Sequence, residues 1–455
     1  MDSPTYIIRS SKVILPDGMK PASIRISGGR IADVGTSEDS VRGIPVEDFG
    51  DLIISPGLVD THVHINEPGR TDWEGFEHAT RAAAGGGITT LIEMPLNSSP
   101  VTTSTSAFAE KCRAAEGKLF VDCGFYGGLV PGNFGELESL MTSGVFGLKA
   151  FLIDSGIEEF PPVREEELRR AMPRIAEHEL PLLVHCELTD DAPQAIRNSG
   201  HSYSEYLSSR PGKWERDAVE LLTRLAEEYS CKVHIVHVSS SDTLPLLERV
   251  RQTNKGLITA ETCPHYLFWD ANDIADGDTR FKCAPPIRDR ANREELWDAL
   301  KNGILDFVVS DHSPAPPSLK CVEAGDFRNA WGGISSLQFG LSIVWTEART
   351  RGFGPDKVIR WMSEQPAAFA GLGGRKGRIA PGCDADLIVW DPNASFVVDP
   401  SMNFHRHKLT PYVNERLYGK VMTTFLRGSK VFENGRVEGP QRGMVLFRKR
   451  TNKGK

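Results

Sequence analysis

Through the middle of this chain, eight apolar, β-rich runs alternate with helix-like stretches, and that alternation limits the available folds more than any other feature. The runs are 52–59 (LIISPGLV), 90–94 (TLIEM), 119–125 (LFVDCGF), 147–152 (GLKAFL), 181–186 (PLLVHC), 233–238 (VHIVHV), 257–262 (LITAET) and 304–310 (ILDFVVS). Between them, FEHATRAAAGGG ends in glycines, as helix C-termini often do. REEELRRAMPRIAEHE, ERDAVELLTRLAEEY and ANREELWDALKNG repeat apolar residues every three to four positions. Strand–helix alternation specifies an α/β protein with a parallel sheet. Eight strands over about 250–300 residues fit a (β/α)8 TIM barrel. An open doubly wound sheet is the alternative, but no G-x-G-x-x-G follows a strand.

The two ends of the chain have a different texture. Residues 1–55 (TYIIRSSKVIL, ASIRISGG, RIADVG) and 375–450 (ADLIVWDP, SFVVDP, VMTTFLRG, SKVFENGRV) mix β-formers with Gly and Asp punctuation. We expect one small β-sandwich domain built from 1–55 plus 375–450, and a barrel domain over 56–374. The basic end RKRTNKGK reads as a solvated tail. With 61 acidic against 53 basic residues and a net charge of −8, the chain lacks the basic face that nucleic-acid binding needs. It has no apolar run near the roughly 20 residues that span a bilayer, so no membrane partner is expected. The start MDSPTYIIRSSK lacks an apolar segment behind a basic stretch, and none of the 8 cysteines forms a C-x-x-C pair. The expectation is a reduced, cytoplasmic protein that acts on a small molecule.

In a barrel, chemistry sits at the C-terminal ends of the strands. The first run leads into Asp60-Thr61-His62-Val63-His64, where alternate residues share a face, so His62 and His64 project together. Two imidazoles on one face suit a borderline divalent ion such as zinc, although H-x-H alone also fits two hydrogen-bonded core histidines. Lys149 lies among apolar neighbours in GLKAFL. An inward lysine ordinarily pairs with a carboxylate. Alternatively, burial favours its neutral amine, which can capture CO2 as a carbamate, an oxygen ligand able to bridge two metals. The fifth run leads into His185. In VHIVHV the two histidines face opposite ways on a strand, so His237, nearer the C-terminal end, is the ligand candidate and His234 a structural histidine. Asp311 follows the eighth run and can ligate a metal while acting as a general base. Four histidines, a lysine and an aspartate at the ends of strands one, four, five, six and eight argue for a two-metal site, in which the ions lie about 3.5–4 Å apart and share an activated water.

The ordered set H-x-H, Lys, His, His, Asp on a barrel resembles the amidohydrolase superfamily, specifically its cyclic amidohydrolases. The stretches that carry the resemblance are PGLVDTHVHINEPGRTDWEGFEHATRAAAGGGITTLIEMPLNSSPVT, VHCE, HIVHVSS, TCPHYL, KCAPPIRD, VSDHSPAPP, WGGISSLQ and KGRIAPGCDADLIVWDP, spread from about residue 50 to 430. Dihydroorotases carry an Arg just after H-x-H that holds the substrate carboxylate. Asn66 stands here, and Met94-Pro95-Leu96-Asn97 replaces their usual M-P-N-T. Loss of a carboxylate-pairing Arg suits an uncharged ring substrate. Hydantoinases usually lack the block running from Glu67 to Gly75. Ala284 is a serine in some relatives.

The resemblance implies two divalent metal ions, zinc foremost, with cobalt, manganese or iron also accommodated. It assigns His62 and His64 to the more buried ion and His185 and His237 to the more exposed one. Lys149, carbamylated by CO2 to N6-carboxylysine, would bridge the two. Asp311 would bind the buried ion and serve as general base and then acid. The implied reaction is hydrolysis of the cyclic amide of a ureide-bearing hydantoin ring, with hydantoin or dihydropyrimidine rings as the alternative substrates. A non-enzymatic scaffold of the same family would have lost ligands that this chain keeps. Asn97, Ser313 and Gly333, the last in the Trp331-Gly332-Gly333 loop, are candidate substrate contacts or simply turn residues. Glu67 with Arg70, and His265 with Tyr266, are either supports of the site or an ordinary surface pair and core residues. By analogy the assembly is a homotetramer.

Overall fold

The computed structural model describes residues 5–36, 43–189, 200–253 and 256–449. Eight parallel strands line the barrel: β1 (Leu58–Val63), β2 (Ile88–Glu93), β3 (Asp122–Phe125, continued by Gly127–Gly128), β4 (Leu148–Phe151), β5 (Leu182–His185), β6 (Val233–Ile235), β7 (Ile258–Thr262) and β8 (Phe307–Val308). β1 pairs with β2 and β2 with β3, while Gly127–Gly128 begins the second run, through β4 to β8. The ring closes between β8 and β1. There Val63 bridges His312, the His64 N–H donates to the His312 carbonyl at 2.8 Å, and the buried Asp60 carboxylate accepts the Ser310 N–H at 3.1 Å. β8 has only two residues, so these contacts just past its end do much of the closing.

Helices return the chain from each strand, and their apolar faces explain why they form. Phe76–Gly85 buries Phe76, Ala79, Ala82, Ala83 and Ala84, small residues that let it lie close to the sheet. Glu165–Glu177 buries Leu168, Ala171, Met172 and Ile175 and places three glutamates in its first turn, where they complement the helix dipole. Arg290–Asn302 is capped by the Asp289 side chain and ends on Gly303 at φ 73°, a left-handed turn that glycine adopts without strain.

Both ends of the chain share one nine-stranded sheet, in which Ile53–Pro56 lies between Tyr6–Leu15 and Leu387–Val397. The run at 52–59 is therefore divided: Ile53–Pro56 joins this sheet and the barrel strand starts at Leu58. The sheet curls until Arg30 bridges Asp384 and the Ile31 N–H donates to the Cys383 carbonyl at 2.9 Å, enclosing its own core around Ile8, Ile24, Ile54 and Leu387. The C-terminal segment leaves this sheet and runs along β3, with Val445 bridging Cys123. The expected solvated tail is thus anchored at its first residue, where Arg448 donates to the carbonyls of Phe146 and Glu179 at 3.0 and 3.2 Å; residues 450–455 lie outside the described residues. No described helix is long and apolar enough to cross a membrane.

Candidate functional site

A cavity of about 390 Å3 opens at the C-terminal ends of the barrel strands. His62, His64, Lys149, His185, His237 and Asp311 all line it, as do Asn97, Ser313 and Gly333. The local backbone explains how these side chains turn inward. His62 is on β1, Lys149 on β4 and His185 ends β5. β6 stops at Ile235, so His237 is not placed by strand alternation. It enters through a left-handed turn at φ 40°, and Asp311 does so at φ 44°. Non-glycine residues held in that region cost free energy, and such strain concentrates at functional sites.

His62, His64 and Asp311 form one half of the site. The Nε2 atoms of His62 and His64 lie 3.2 and 3.5 Å from the same Asp311 oxygen. His62 Nδ1 is 2.5 Å from Glu261, so an N–H there donates to the carboxylate and leaves Nε2 with its lone pair facing the cavity. The other Glu261 oxygen is 2.9 Å from His234 Nε2, and His234 Nδ1 is 2.7 Å from the Thr259 hydroxyl. His234, expected to be structural, thus belongs to the chain of contacts that orients His62. Burial pushes the Asp311 carboxyl up, but the His62, His64 and His265 rings pull it further the other way, to about 2, so it is an anion at neutral pH.

The second half is built from His185, His237 and Lys149. His185 Nδ1 and His237 Nε2 converge to 3.0 Å, while His185 Nε2 meets Glu187 at 2.7 Å. Glu187 is held in turn by the Arg210 guanidinium at 2.8 Å; although burial raises its carboxyl, Arg210 and His185 keep it below the usual range. The two halves adjoin, with the His62 and His237 rings 5.4 Å apart. Lys149 is 1% exposed, its Nζ lies 4.9 Å from the centre of the Phe151 ring, and among the described residues it has no hydrogen-bond partner. Burial lowers its pKa to about 8, against the pull of Asp311 and Glu261. His64 Nδ1 and His237 Nδ1 are likewise buried without hydrogen-bond partners among the described residues. Facing imidazole nitrogens, an anionic carboxylate and an orphaned buried amine form a donor set that fits divalent cations.

The remaining expectations divide. Gly333 is tightly enclosed, since a Cβ there would lie 2.4 Å from the Ser313 carbonyl oxygen. Asn97 adopts φ 68° and its carbonyl accepts from Arg70 at 3.2 Å. Glu67 and Arg70 are not paired with each other: Glu67 bonds Lys118 and caps the Phe76 N–H at 2.8 Å, whereas Arg70 reaches Glu159 at 2.9 Å. The Tyr266 hydroxyl donates to the Pro285 carbonyl at 2.7 Å, and His265 is buried beside Asp311. Sequence reasoning missed Glu261, Glu187, Arg210 and Asp60. A carboxylate inside an apolar strand, as in LITAET, is itself a signal, because it must find a partner once buried.

The description "Amidohydrolase family" matches residues 53–431. Over 98% of its length, the chain is 45% identical to the whole of a protein from Streptomyces avermitilis named allantoinase. It is 43% identical, over 95% of its length and 88% of the relative, to an allantoinase from Arabidopsis thaliana, and 42% identical, over 95% and 96%, to one from Saccharomyces cerevisiae. Among solved structures, an L-hydantoinase from Arthrobacter aurescens superposes with a TM-score of 0.91 at 30% identity, covering 98% of this chain and 100% of that one. A dihydropyrimidinase from Brevibacillus agri gives 0.89 at 26% identity, covering 99% and 100%.

Proposed function

The chain belongs to the amidohydrolase family, and from that membership we propose that it hydrolyses the cyclic amide of allantoin, opening the hydantoin ring to give allantoate. One observation carries this reading: relatives named allantoinase from bacteria, a plant and yeast match it at 39–45% identity over nearly its whole length. The chemistry of the site is consistent with it. Allantoin is uncharged, and Asn66, which follows the H-x-H pair, points its amide at the Pro314 carbonyl at 3.2 Å rather than offering a cation to a carboxylate.

His62, His64 and Asp311 would hold one divalent ion and His185 with His237 a second. Lys149 would bridge them after its neutral amine adds to CO2, forming an N–C bond and releasing a proton. Orphaned Nζ and burial support that modification. When bound, the ions polarise the ring carbonyl and acidify the attacking water. Asp311 accepts the proton of that water during attack and returns it to the departing ring nitrogen, so one carboxylate serves as base and then acid. Glu261 and Glu187 keep His62 and His185 in the ligating tautomer. Asn97, Ser313 and the Gly333 main chain would orient the ring. Zinc is the ion we favour for this imidazole–carboxylate set.

The test is a substrate panel on metal-replete protein: allantoin, hydantoin, dihydrouracil and dihydroorotate. Fastest turnover of allantoin is expected, and faster turnover of any other ring overturns the assignment. Metal analysis should give about two ions per chain, and intact mass under native CO2 should reveal a carboxylated lysine. All 8 cysteines are free thiols, 6 of them buried, which supports a cytoplasmic location. Likeness to the cyclic amidohydrolases supports a homotetramer, and a monomer in sedimentation would remove it.

A further inference from the structure

The segment Pro317–Gly325 inverts the usual rule for surface loops. Leu319 and Val322 are each 39% exposed, while Lys320 between them is only 3% exposed. Among the described residues Lys320 has no ion-pair partner. Its Nζ instead donates to three main-chain carbonyls, those of Lys282 at 3.0 Å, Trp331 at 2.9 Å and Gly333 at 2.8 Å. An ammonium has three N–H donors, and here all three are spent on backbone. A buried charge without a counterion is costly, and burial pushes this one down to about 7. Its retention therefore needs a compensating role, and the acceptors indicate which: two of the three belong to the loop that walls the cavity.

At Gly332 and Gly333 that wall can offer only main chain. Gly333 has no room for a Cβ. Its N–H donates to the Lys282 carbonyl at 2.9 Å, so Lys282, Gly333 and Lys320 close a small ring of hydrogen bonds. Lys282 Nζ extends the same arrangement by donating to the Ala330 carbonyl at 2.6 Å. Trp331 N–H donates to the Leu319 carbonyl at 2.7 Å, tying the wall back to the segment that carries Lys320. Two consecutive glycines, Gly332 and Gly333, give this loop little intrinsic stiffness. Its carbonyl orientations are set from outside, by the lysine behind it.

We propose that Lys320 is a positioning residue which, by capturing the carbonyls of Lys282, Trp331 and Gly333, fixes the main-chain wall against which an uncharged cyclic amide is oriented. The proposal rests on the ring-hydrolysing reading above. It concerns substrate placement and leaves the metal ligands untouched, because Lys320 contacts none of them.

The experiment compares metal-loaded wild type with Lys320→Met, close in length but without donors. Melting temperature and bound metal serve as controls on folding and on the ligand set. With metal content at the wild-type level, KM for the ring that wild type turns over fastest should rise about tenfold or more, since small misplacements of a bound reactant have large effects. kcat should fall less than KM rises. A KM within twofold of wild type overturns the proposal, as does lost metal accompanied by an unchanged KM in the remaining active fraction. Should Lys320→Met not fold, Lys320→Gln is measured against the same KM criterion, because its shorter side chain with two N–H donors cannot hold all three carbonyls. Failure of both to fold overturns the proposal in favour of a purely structural lysine. Wild-type turnover alone decides which ring is the substrate, so an error there is separable from an error about Lys320.

Discussion

Among the described residues, Asp311 is the one acidic group that meets both imidazoles of the H-x-H pair, and its left-handed backbone aims it into the cavity. Replacing it by Asn keeps the shape and removes the base. The expected result is a fall in kcat of about 10³-fold, with the protein folded, as steady-state kinetics and far-UV circular dichroism would record. A second residue-scale prediction concerns His405, buried against the His312 ring at 4.6 Å. Burial, with a smaller contribution from Lys408, lowers its pKa from 6.5 to about 3. Below pH 6.5 the unfolded chain takes up a proton that the folded ring refuses, so the stabilising term is complete above that pH and is lost as the pH falls toward 3. Relative to His405→Gln, wild type should lose about 1.4 kcal/mol per pH unit below 6.5. Urea titrations at pH 6.5 and 4.5 measure it, and a constant difference between the two proteins refutes it.

At the scale of elements, the barrel depends on a weak joint. β8 is two residues long, and Ser310, two residues past its end, is clamped to β1 by Asp60, whose carboxylate also accepts the His62 N–H at 3.1 Å. Asp60→Ala would leave both N–H groups buried without a partner and should cost about 2–4 kcal/mol. It should also loosen His62, so metal affinity should drop together with the denaturation midpoint. The sequence makes some of this legible and some not. Alternation of short apolar runs with helix periods locates seven of the barrel strands and the start of the first, because each is buried on both faces and reads as a continuous apolar stretch. The same continuity hides the division of 52–59, since Ile53–Pro56 and Leu58–Val63 are equally buried and nothing in composition says that they serve different sheets. The cavity-lining side chains at strand ends are legible for the same geometric reason that His62 and His64 share a face. His237, preferred over His234 for its position along the run, does face the cavity, but its direction comes from a turn after Ile235 that alternation cannot describe. Glu261 and Glu187 are visible only as buried carboxylates whose partners lie on other strands.

For the molecule as a whole, the barrel, the nine-stranded sheet and the C-terminal segment meet at one buried ionic knot. Lys376 Nζ lies 2.7 Å from Asp122 on β3 and 2.5 Å from Asp386 at the entry to Leu387–Val397. Arg427 reaches Asp122 at 2.6 Å, and the Met444 N–H donates to the same carboxylate at 2.9 Å. Asp122, Asp384 and Asp386 resemble a cation site in spacing, but the Lys376 ammonium already sits among them. Lys376 and Asp122 are 254 residues apart, so no local pattern announces the pair. Removing only the cation leaves carboxylates buried and partly uncompensated, so Lys376→Met should cost about 3–5 kcal/mol. The deficit should depend on pH in a definite direction. Burial already raises the Asp386 carboxyl, and without Lys376 that rise goes unopposed by its main counter-charge. In the variant the folded state would hold a proton that the unfolded chain releases above about pH 4, so its stability should fall as the pH rises and recover as the pH is lowered from 7 to 5. Denaturant titrations of both proteins at those two pH values measure the change. Lys376→Met with Asp386→Asn should regain part of the loss at pH 7, because the neutral amide needs no counterion. A deficit that is the same at both pH values, and not reduced in the double variant, would mean that the knot contributes packing rather than charge compensation.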